Sequence, residues 1–205
     1  MPTITDITRQ RKRTERYSIF LDGTYSFSLT DLELSTSGLA IGQELAPAEV
    51  ERWSEDSEVS KALARTYGLL ARRPRSRREL ERYLAEKSYE ASIVERSLAR
   101  LEQQGLIDDA AFARQWASER IRSRSRYQLT QELRLKGIDP TIVEATLAEL
   151  APEDEYATVK RLIEKRRRGS RGNDRQAIIG YLSTKGFAYG LISTVLEQEF
   201  SDQRW

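Results

Sequence analysis

Three short runs of the chain are rich in arginine and contain no acidic residue. The first arginine cluster covers residues 72–78, the second covers 120–126 and the third covers 165–171. Their basic members are Arg72, Arg73, Arg75, Arg77, Arg78, Arg120, Arg122, Arg124, Arg126, Lys165, Arg166, Arg167, Arg168 and Arg171. A guanidinium presents a planar fork of N–H donors that matches phosphate and carboxylate oxygens. The clusters therefore predict contact with a polyanion, and that contact should weaken as salt is added.

The charge outside the clusters has the opposite sign. The whole chain has 34 basic and 32 acidic residues, for a net charge of +2, so the remainder is net negative once the clusters are set aside. A single charged run is usually only a solvated face. Three acid-free runs favour a binding role instead, because repulsion within each cluster costs stability unless a partner offsets it.

The elements that position these clusters repeat along the chain. Lys87, Lys136 and Lys185 are spaced 49 residues apart, and their neighbours repeat with them. Apolar residues in the same register include Leu80, Leu129 and Ile178; Leu84, Leu133 and Leu182; and Leu98, Leu147 and Leu196. A fixed period predicts one supersecondary unit used three times, with each copy packed on the next. Equivalent clusters should then lie along one edge of an elongated, curved array.

Each repeat has the pattern of three helices. In the first repeat we expect them at about residues 57–71, 77–87 and 91–104. Ser76 with Glu79 has the spacing of a capping box, and Ser125 with Gln128 repeats it. Lysine followed by glycine suits the end of the second helix, because glycine readily adopts the left-handed conformation there.

The N-terminal segment has a different pattern. Asp22-Gly23 separates two alternating, aromatic-rich runs, which is a strong signal for a β-hairpin. A basic arm precedes this hairpin, with Arg9, Arg11, Lys12, Arg13 and Arg16. The complete prediction is a mainly α fold of tandem three-helix repeats, three copies with a period of about 49 residues, behind a small β-hairpin. The expected segments are 1–56, 57–107, 108–151 and 152–205.

Several kinds of chemistry lack their usual residues. The sequence has no cysteine and no histidine, and it has no glycine-rich phosphate-binding loop. Asp108 and Asp109 precede a helical run, where capping is a better explanation than a metal site. We therefore expect a protein that is not an enzyme and uses no cofactor or metal. The N-terminus has no apolar targeting segment, which favours a cytoplasmic protein.

Three motifs resemble those of the bacterial RecX regulatory family. They are RSRREL at 75–80, GLIDDAAFA at 105–113 and QELRLKGI at 131–138. In that family, runs of the forms R-S-x-x-E-L, L-x-D-D-x-x-F-A and Q-E-L-x-x-K-G-I follow one another at similar spacing. The resemblance covers about residues 15 to 200 and includes the hairpin around Asp22-Gly23.

The resemblance implies a function as well as a fold. RecX proteins consist of tandem three-helix repeats, bind the RecA recombinase filament on single-stranded DNA, and inhibit its ATPase, strand-exchange and co-protease activities. They also bind DNA themselves, so single-stranded DNA without sequence preference is an expected partner, with duplex DNA as a further candidate. We expect a monomer that uses the clusters for these contacts, chiefly Arg122, Arg124 and Arg126.

Two other functions remain open from the sequence. The first is a nonspecific nucleic-acid-binding protein with an arginine-rich edge and no protein target. The second is a helix-turn-helix regulator that reads duplex sequence. The latter ranks last because the third helix of each repeat is acidic or neutral, with Glu144, Glu149 and Glu197.

Overall fold

The structure is a computed structural model that describes residues 1–11, 15–167 and 174–201. Within this part the chain forms three strands and ten helices. They are β1 (Ile4–Arg9), β2 (Arg16–Leu21), β3 (Thr24–Thr30), α1 (Asp31–Ser37), α2 (Pro47–Leu70), α3 (Arg77–Glu86), α4 (Ala91–Gln103), α5 (Asp109–Arg120), α6 (Arg126–Leu135), α7 (Pro140–Ala148), α8 (Pro152–Arg167), α9 (Arg175–Thr184) and α10 (Tyr189–Ser201). The mainly helical class and the tandem three-helix arrangement are confirmed, with triplets α2–α4, α5–α7 and α8–α10.

The chain divides into two compact units. The first unit contains residues 1–75 and 80–107, and the second contains 76–79 and 108–205. The first turn of α3 therefore belongs to the second unit, whereas the rest of that helix belongs to the first.

The N-terminal sheet of the first unit has three antiparallel strands in the order β1-β2-β3. Asp22 and Gly23 both have positive φ, at 48° and 78°, which confirms the hairpin and matches a type I′ turn. The prediction missed β1, of which only Arg9 had been assigned, to the basic arm. Lys12 and Arg13 of that arm lie outside the described residues.

Arg16 also differs from its predicted place in the arm. It begins β2 and is only 4% exposed. Its guanidinium donates hydrogen bonds to the Ser28 backbone oxygen and to the Ser60 hydroxyl, each at 2.9 Å. A buried guanidinium needs such partners, because desolvation of its charge is costly. Arg16 therefore links the sheet to α2.

Two apolar clusters support the first unit. Ile4, Ile19 and Phe27 are almost fully buried in the sheet, and the Phe27 ring stacks on Trp53 of α2 with centroids 6.3 Å apart. The other cluster joins the first three-helix repeat and includes Leu80 of α3 and Leu98 of α4, which are both fully buried.

The second unit contains the second and third three-helix repeats. Leu133 and Val143 are buried between α6 and α7, together with Phe112 of α5. In the third repeat, Ile178 and Leu182 of α9 are fully buried against α8 and α10. The predicted register is thus confirmed at the apolar positions, because Leu80, Leu129 and Ile178 are all fully buried.

The helix caps follow the predicted pattern, with one exception. Ser76 and Glu79 form both hydrogen bonds of a capping box. Ser125 accepts from the Gln128 backbone N–H at 3.1 Å, but the Gln128 Oε1 atom is buried without a hydrogen-bond partner in the described structure. The second box is therefore only half formed.

Candidate functional site

Contacts between successive repeats position the arginine clusters in the second unit. Ser76, within the first cluster, donates its hydroxyl to the Lys136 backbone oxygen at 2.7 Å. Ser125, within the second cluster, donates in the same way to Lys185, also at 2.7 Å. Both lysines are C-cap positions, where helix carbonyls lack intrahelical partners. The N-terminus of α3 is thus held by a hydrogen bond to the C-terminus of α6, and the N-terminus of α6 is held in the same way to the C-terminus of α9.

Acidic side chains also accept hydrogen bonds from the first backbone N–H groups of α3 and α6. The Arg77 backbone N–H donates to Asp109 at 2.9 Å, and the Arg126 backbone N–H donates to Glu155 at 2.9 Å. A carboxylate near a helix N-terminus is favourable, because the first N–H groups have no partner and the helix dipole is positive there. Asp108 caps α5 as predicted, by accepting from the Ala111 N–H at 2.8 Å.

Glycine is required at two of these contacts. Gly137 and Gly186 have φ of 76° and 74°. A Cβ at Gly137 would lie 2.4 Å from Arg78 Cβ, and one at Gly186 would lie 2.7 Å from Tyr127 Cδ1. These close contacts leave no room for a side chain at either position. They are a second reason for glycine, besides the left-handed conformation that helix C-termini commonly adopt.

The repeated lysines each lie near an aromatic ring. Lys87 Nζ is 5.7 Å from the Tyr83 ring, and Lys185 Nζ is 5.2 Å from the Tyr181 ring. The middle repeat has Glu132 in place of this tyrosine, and Lys136 Nζ lies 4.9 Å from Trp116 instead. Cation–π attraction thus gives the repeated lysine a physical role.

Glu132 changes the electrostatics of the second cluster. Its carboxylate accepts from Arg124 Nε and from the Trp116 indole N–H, each at 2.9 Å. Arg120 lies 3.8 Å from the same carboxylate, and its guanidinium carbon is 3.4 Å from the centre of the Trp116 ring. Our expectation that this cluster lacks compensating acids does not hold, because Glu132 of α6 lies against Arg120 and Arg124 and neutralises part of their charge.

Arg126 is also engaged internally. It donates to the backbone oxygens of Leu147, in the last turn of α7, and of Leu150, just beyond that helix. Its Nε lies 3.5 Å from Glu155. Arg126 thereby satisfies carbonyls that a helix end leaves free. Of the three arginines expected to be chief contacts, only Arg122 is exposed and makes no ion pair or hydrogen bond with another described residue.

The first cluster contains both exposed and engaged side chains. Arg72 is exposed, and its side chain has no ion pair or hydrogen bond within the described ranges. Arg73 is exposed and donates to the Pro74 backbone oxygen at 2.9 Å. The Nε atom of Arg75 is buried without a hydrogen-bond partner in the described structure, and the Arg78 side chain covers Gly137.

The third cluster is only partly described. Lys165 is exposed at the end of α8, with no ion pair or hydrogen bond to the rest of the described chain. The guanidinium carbon of Arg166 lies 4.5 Å from the centre of the Tyr181 ring, and Arg167 is half-buried. Arg168 and Arg171 lie outside the described residues.

Sequence reasoning missed the acids that hold the clusters. Glu132 is eight residues from Arg124 and Glu155 is 29 residues from Arg126, so neither acid lies inside a cluster. The sequence does contain one signal for Glu132, because this acid stands where the other two repeats have Tyr83 and Tyr181.

Other kinds of site find no support in the described part of the chain. It contains no group of three or more acidic, histidine or cysteine side chains that could hold a metal ion. None of its helices is both long enough and apolar enough to span a bilayer.

Together the fold and the site define a class of protein: tandem three-helix domains that follow a small sheet and carry arginine-rich turns. Family models match three successive segments of the chain. They are the regulatory protein RecX N-terminal domain at residues 2–46, the RecX first three-helix domain at 62–101 and the RecX second three-helix domain at 108–147. The matches cover more than half of the chain, which belongs to the RecX family.

Individual relatives agree with this assignment. Regulatory protein RecX of Listeria monocytogenes serotype 4a (strain HCC23) is 34% identical over 118 residues, which is 58% of this chain and 44% of the relative. The relative from Lactobacillus delbrueckii subsp. bulgaricus (strain ATCC BAA-365 / Lb-18) is 33% identical over 121 residues, with coverage of 59% and 44%. The matched segments thus span less than half the length of these relatives.

Solved structures show the same fold. A crystal structure of regulatory protein RecX has a TM-score of 0.76 and 28% identity, and the match covers 96% of this chain and 100% of that chain. RecX from Lactobacillus salivarius has a TM-score of 0.62 and 24% identity, with coverage of 69% and 96%; this second likeness supports the fold alone.

Proposed function

We propose that this chain binds a RecA recombinase filament on single-stranded DNA and inhibits its ATPase, strand-exchange and co-protease activities. Membership of a regulatory protein family supports a role of this kind. The proposal places the chain in the cytoplasm, where it acts as a monomer without catalytic chemistry of its own.

The exposed cations of the clusters that make no ion pair or hydrogen bond with other described residues carry the proposal. In the second unit these are Arg122 and Lys165, and in the first unit Arg72 is exposed and unpaired in the same way. A side chain already paired with a carboxylate must lose that pairing before it binds a phosphate, whereas an exposed cation keeps its charge available. We therefore assign the main polyanion contacts to Arg122, Lys165 and Arg72.

Arg124 and Arg126 have a different role in this proposal. Their contacts with Glu132 and Glu155 hold the second cluster in place. Charge reversal at either residue would set two carboxylates against each other and disturb the fold. A loss of function in such a variant would not identify a binding residue.

The experiment is inhibition of DNA-dependent ATP hydrolysis by the cognate recombinase, titrated with this protein at several salt concentrations. We expect the double change Arg122→Glu and Lys165→Glu to raise the half-inhibitory concentration at least about tenfold, because each reversal replaces attraction to phosphate by repulsion. The matched control is the double change Arg114→Glu and Arg134→Glu, since both residues are exposed cations of the same unit outside the clusters. Inhibition at the wild-type concentration by the variant with Arg122→Glu and Lys165→Glu would contradict the assignment.

A nonspecific nucleic-acid-binding protein with no protein target is the second candidate. The exposed cations favour it as much as they favour a filament, because phosphate contacts carry no sequence information. Excess single-stranded DNA distinguishes the two: a pure DNA binder would then leave the recombinase ATPase untouched. A reader of duplex sequence would instead show a specificity ratio of at least about a thousandfold.

A further inference from the structure

Tyr127 lies against the glycine at the junction of the second and third repeats. Its Cδ1 atom is 2.7 Å from the position that a Cβ of Gly186 would occupy, so the ring edge is in close contact with the backbone. The residue is nevertheless 62% exposed. One part of the ring is thus supported by the protein, and much of its surface remains open to solvent.

Packing alone does not require an aromatic residue at this position. Tyr127 lies 49 residues after Arg78, and at the preceding junction the aliphatic part of Arg78 covers Gly137 in the same way. The Tyr127 hydroxyl makes no hydrogen bond to any other described residue. An aliphatic side chain is therefore enough to cover the glycine, and the exposed ring of Tyr127 is available for a different interaction.

A second tyrosine and two cations lie close to this junction. Lys185 precedes Gly186, and its Nζ lies 5.2 Å from the Tyr181 ring. Arg166 approaches the same ring, with 4.5 Å between its guanidinium carbon and the ring centre.

We call Tyr127, Arg166, Tyr181 and Lys185 the tyrosine patch. In the sequence, Tyr127 is the only aromatic residue adjoining the clusters, which argues against base stacking. The fold changes this interpretation, because it brings Tyr181 beneath Arg166 and Lys185 and leaves Tyr127 exposed against Gly186, the residue that follows Lys185. Exposed aromatic rings interspersed with cations are typical of surfaces that bind single-stranded nucleic acid.

We propose that the tyrosine patch binds single-stranded nucleic acid by stacking an unpaired base on Tyr127, with Lys185 and Arg166 attracting the adjacent phosphates. This inference rests on the DNA-binding part of the proposed function and names the form of nucleic acid that the site prefers. Every base has a π-face, so stacking is tolerant of sequence. In a duplex the faces of the bases are already stacked on one another, and the patch therefore favours unpaired strands.

The test compares two oligonucleotides that differ only in their bases. Oligothymidylate of about 16 nucleotides and an abasic strand with the same number of phosphates are labelled, and their dissociation constants are measured by fluorescence anisotropy at one salt concentration. Wild-type protein should bind the base-containing strand more tightly. Tyr127→Ala should weaken that binding about tenfold and leave the abasic strand unaffected, whereas Tyr127→Phe should retain the preference.

Tyr127→Arg is the sharpest variant, because it installs the residue that the chain already uses at the preceding junction. It should keep the glycine covered, bind the abasic strand at least as tightly as wild type, and lose the preference for bases. Circular dichroism of each variant checks that helical content is unchanged.

Two results would overturn the inference: equal wild-type affinity for the two strands, or equal weakening of both by Tyr127→Ala. Either result together with normal inhibition of the recombinase ATPase would overturn the stacking site alone. If wild-type protein bound neither strand, both the stacking site and the DNA-binding part of the proposed function would fail.

Discussion

The Ser125 hydroxyl donates to the Lys185 backbone oxygen at 2.7 Å, and the two residues are 60 positions apart in the chain. The same hydroxyl accepts the Gln128 backbone N–H at 3.1 Å. One serine thus caps the start of α6 and satisfies a carbonyl at the end of α9. Because Ser76 makes the equivalent pair of contacts, this serine joins successive repeats in both places.

Ser125→Ala should lower the free energy of unfolding by about 1–3 kcal/mol. The change removes an N-cap, which typically costs about 1 kcal/mol, and leaves a shielded carbonyl without its donor. Urea denaturation followed by circular dichroism measures the effect. Ser123→Ala is the matched control, since Ser123 is exposed in the same turn; equal stabilities of the two variants would contradict a role for Ser125 between repeats.

Gly137→Ala should destabilise the protein by about 1–3 kcal/mol. The added methyl group would meet Arg78 at a distance that requires a shift, and the backbone has a φ that alanine rarely adopts. Gly180→Ala provides the contrast, because Gly180 lies within α9 and a Cβ there meets nothing within 4 Å. That control should be neutral or stabilising by up to about 1 kcal/mol. Denaturation midpoints of both variants check the expectation.

Gln128→Glu should stabilise the second unit near neutral pH. Glu79, the equivalent residue one repeat earlier, accepts from the Ser76 backbone N–H and binds Lys136 Nζ at 2.8 Å. Gln128 has a buried Oε1 without a partner in the described structure, and Lys185 takes the place of Lys136 in the register. A carboxylate would complete both contacts, with an expected gain of about 0.5–1.5 kcal/mol.

The gain from Gln128→Glu should depend on ionisation. It should be present in urea denaturation at pH 7 and disappear below the carboxyl pKa, since a protonated acid forms no ion pair. A gain that stays constant from pH 7 to strongly acidic conditions would show that the new side chain acts by packing alone.

Glu132→Gln should strengthen binding of polyanions. The neutral amide would hold Arg120 and Arg124 less firmly, because charge-assisted hydrogen bonds are roughly twice as strong as neutral ones. We expect the dissociation constant for single-stranded DNA at low salt to fall several-fold. Glu144→Gln makes the same change in net charge at an exposed site; a similar gain in that control would attribute the effect to net charge.

Asp139 should contribute a pH-dependent component of stability. Hydrogen bonds from the Thr141 hydroxyl and backbone N–H lower the pKa of its carboxyl from the ordinary 3.8. Because the folded-state pKa is depressed, this contribution is complete above the unfolded-state pKa and is lost as pH falls through the folded-state value. Asp139→Asn keeps an N-cap residue but removes the titration. Wild type should therefore lose more stability than the variant in acid, and parallel urea profiles would contradict this.

The repeat period predicted much of the fold because buried positions in helices carry a regular apolar pattern. Leu84, Leu133 and Leu182 share a register, and all three are fully buried. The hairpin was equally accessible, since Asp22-Gly23 is a strong local signal. The strand β1 was missed, because a short edge strand depends on pairing with β2 more than on its own pattern.

The candidate site was less predictable because charge pairing depends on tertiary contacts. The sequence identified which residues are basic, but only the packing of α6 on α5 places Glu132 beside Trp116 and Arg124. The same limit affected aromatic residues, since Tyr181 meets Arg166 only after α8 and α9 have packed together. Side-chain availability for binding, as distinct from charge, therefore required coordinates.

The buried contact between Arg16 and Ser60 has a consequence for how the helical array begins. Ser60 occurs 49 residues before Asp109. In the second repeat, Asp109 accepts a hydrogen bond from the Arg77 backbone N–H at the start of α3. No three-helix repeat comes before the first one in the described structure. Arg16 of β2 contacts Ser60 there instead. The N-terminal sheet thus covers the face of α2 that would otherwise begin the array, and a truncated protein that began at α2 would expose Ser57 and Ser60 to water.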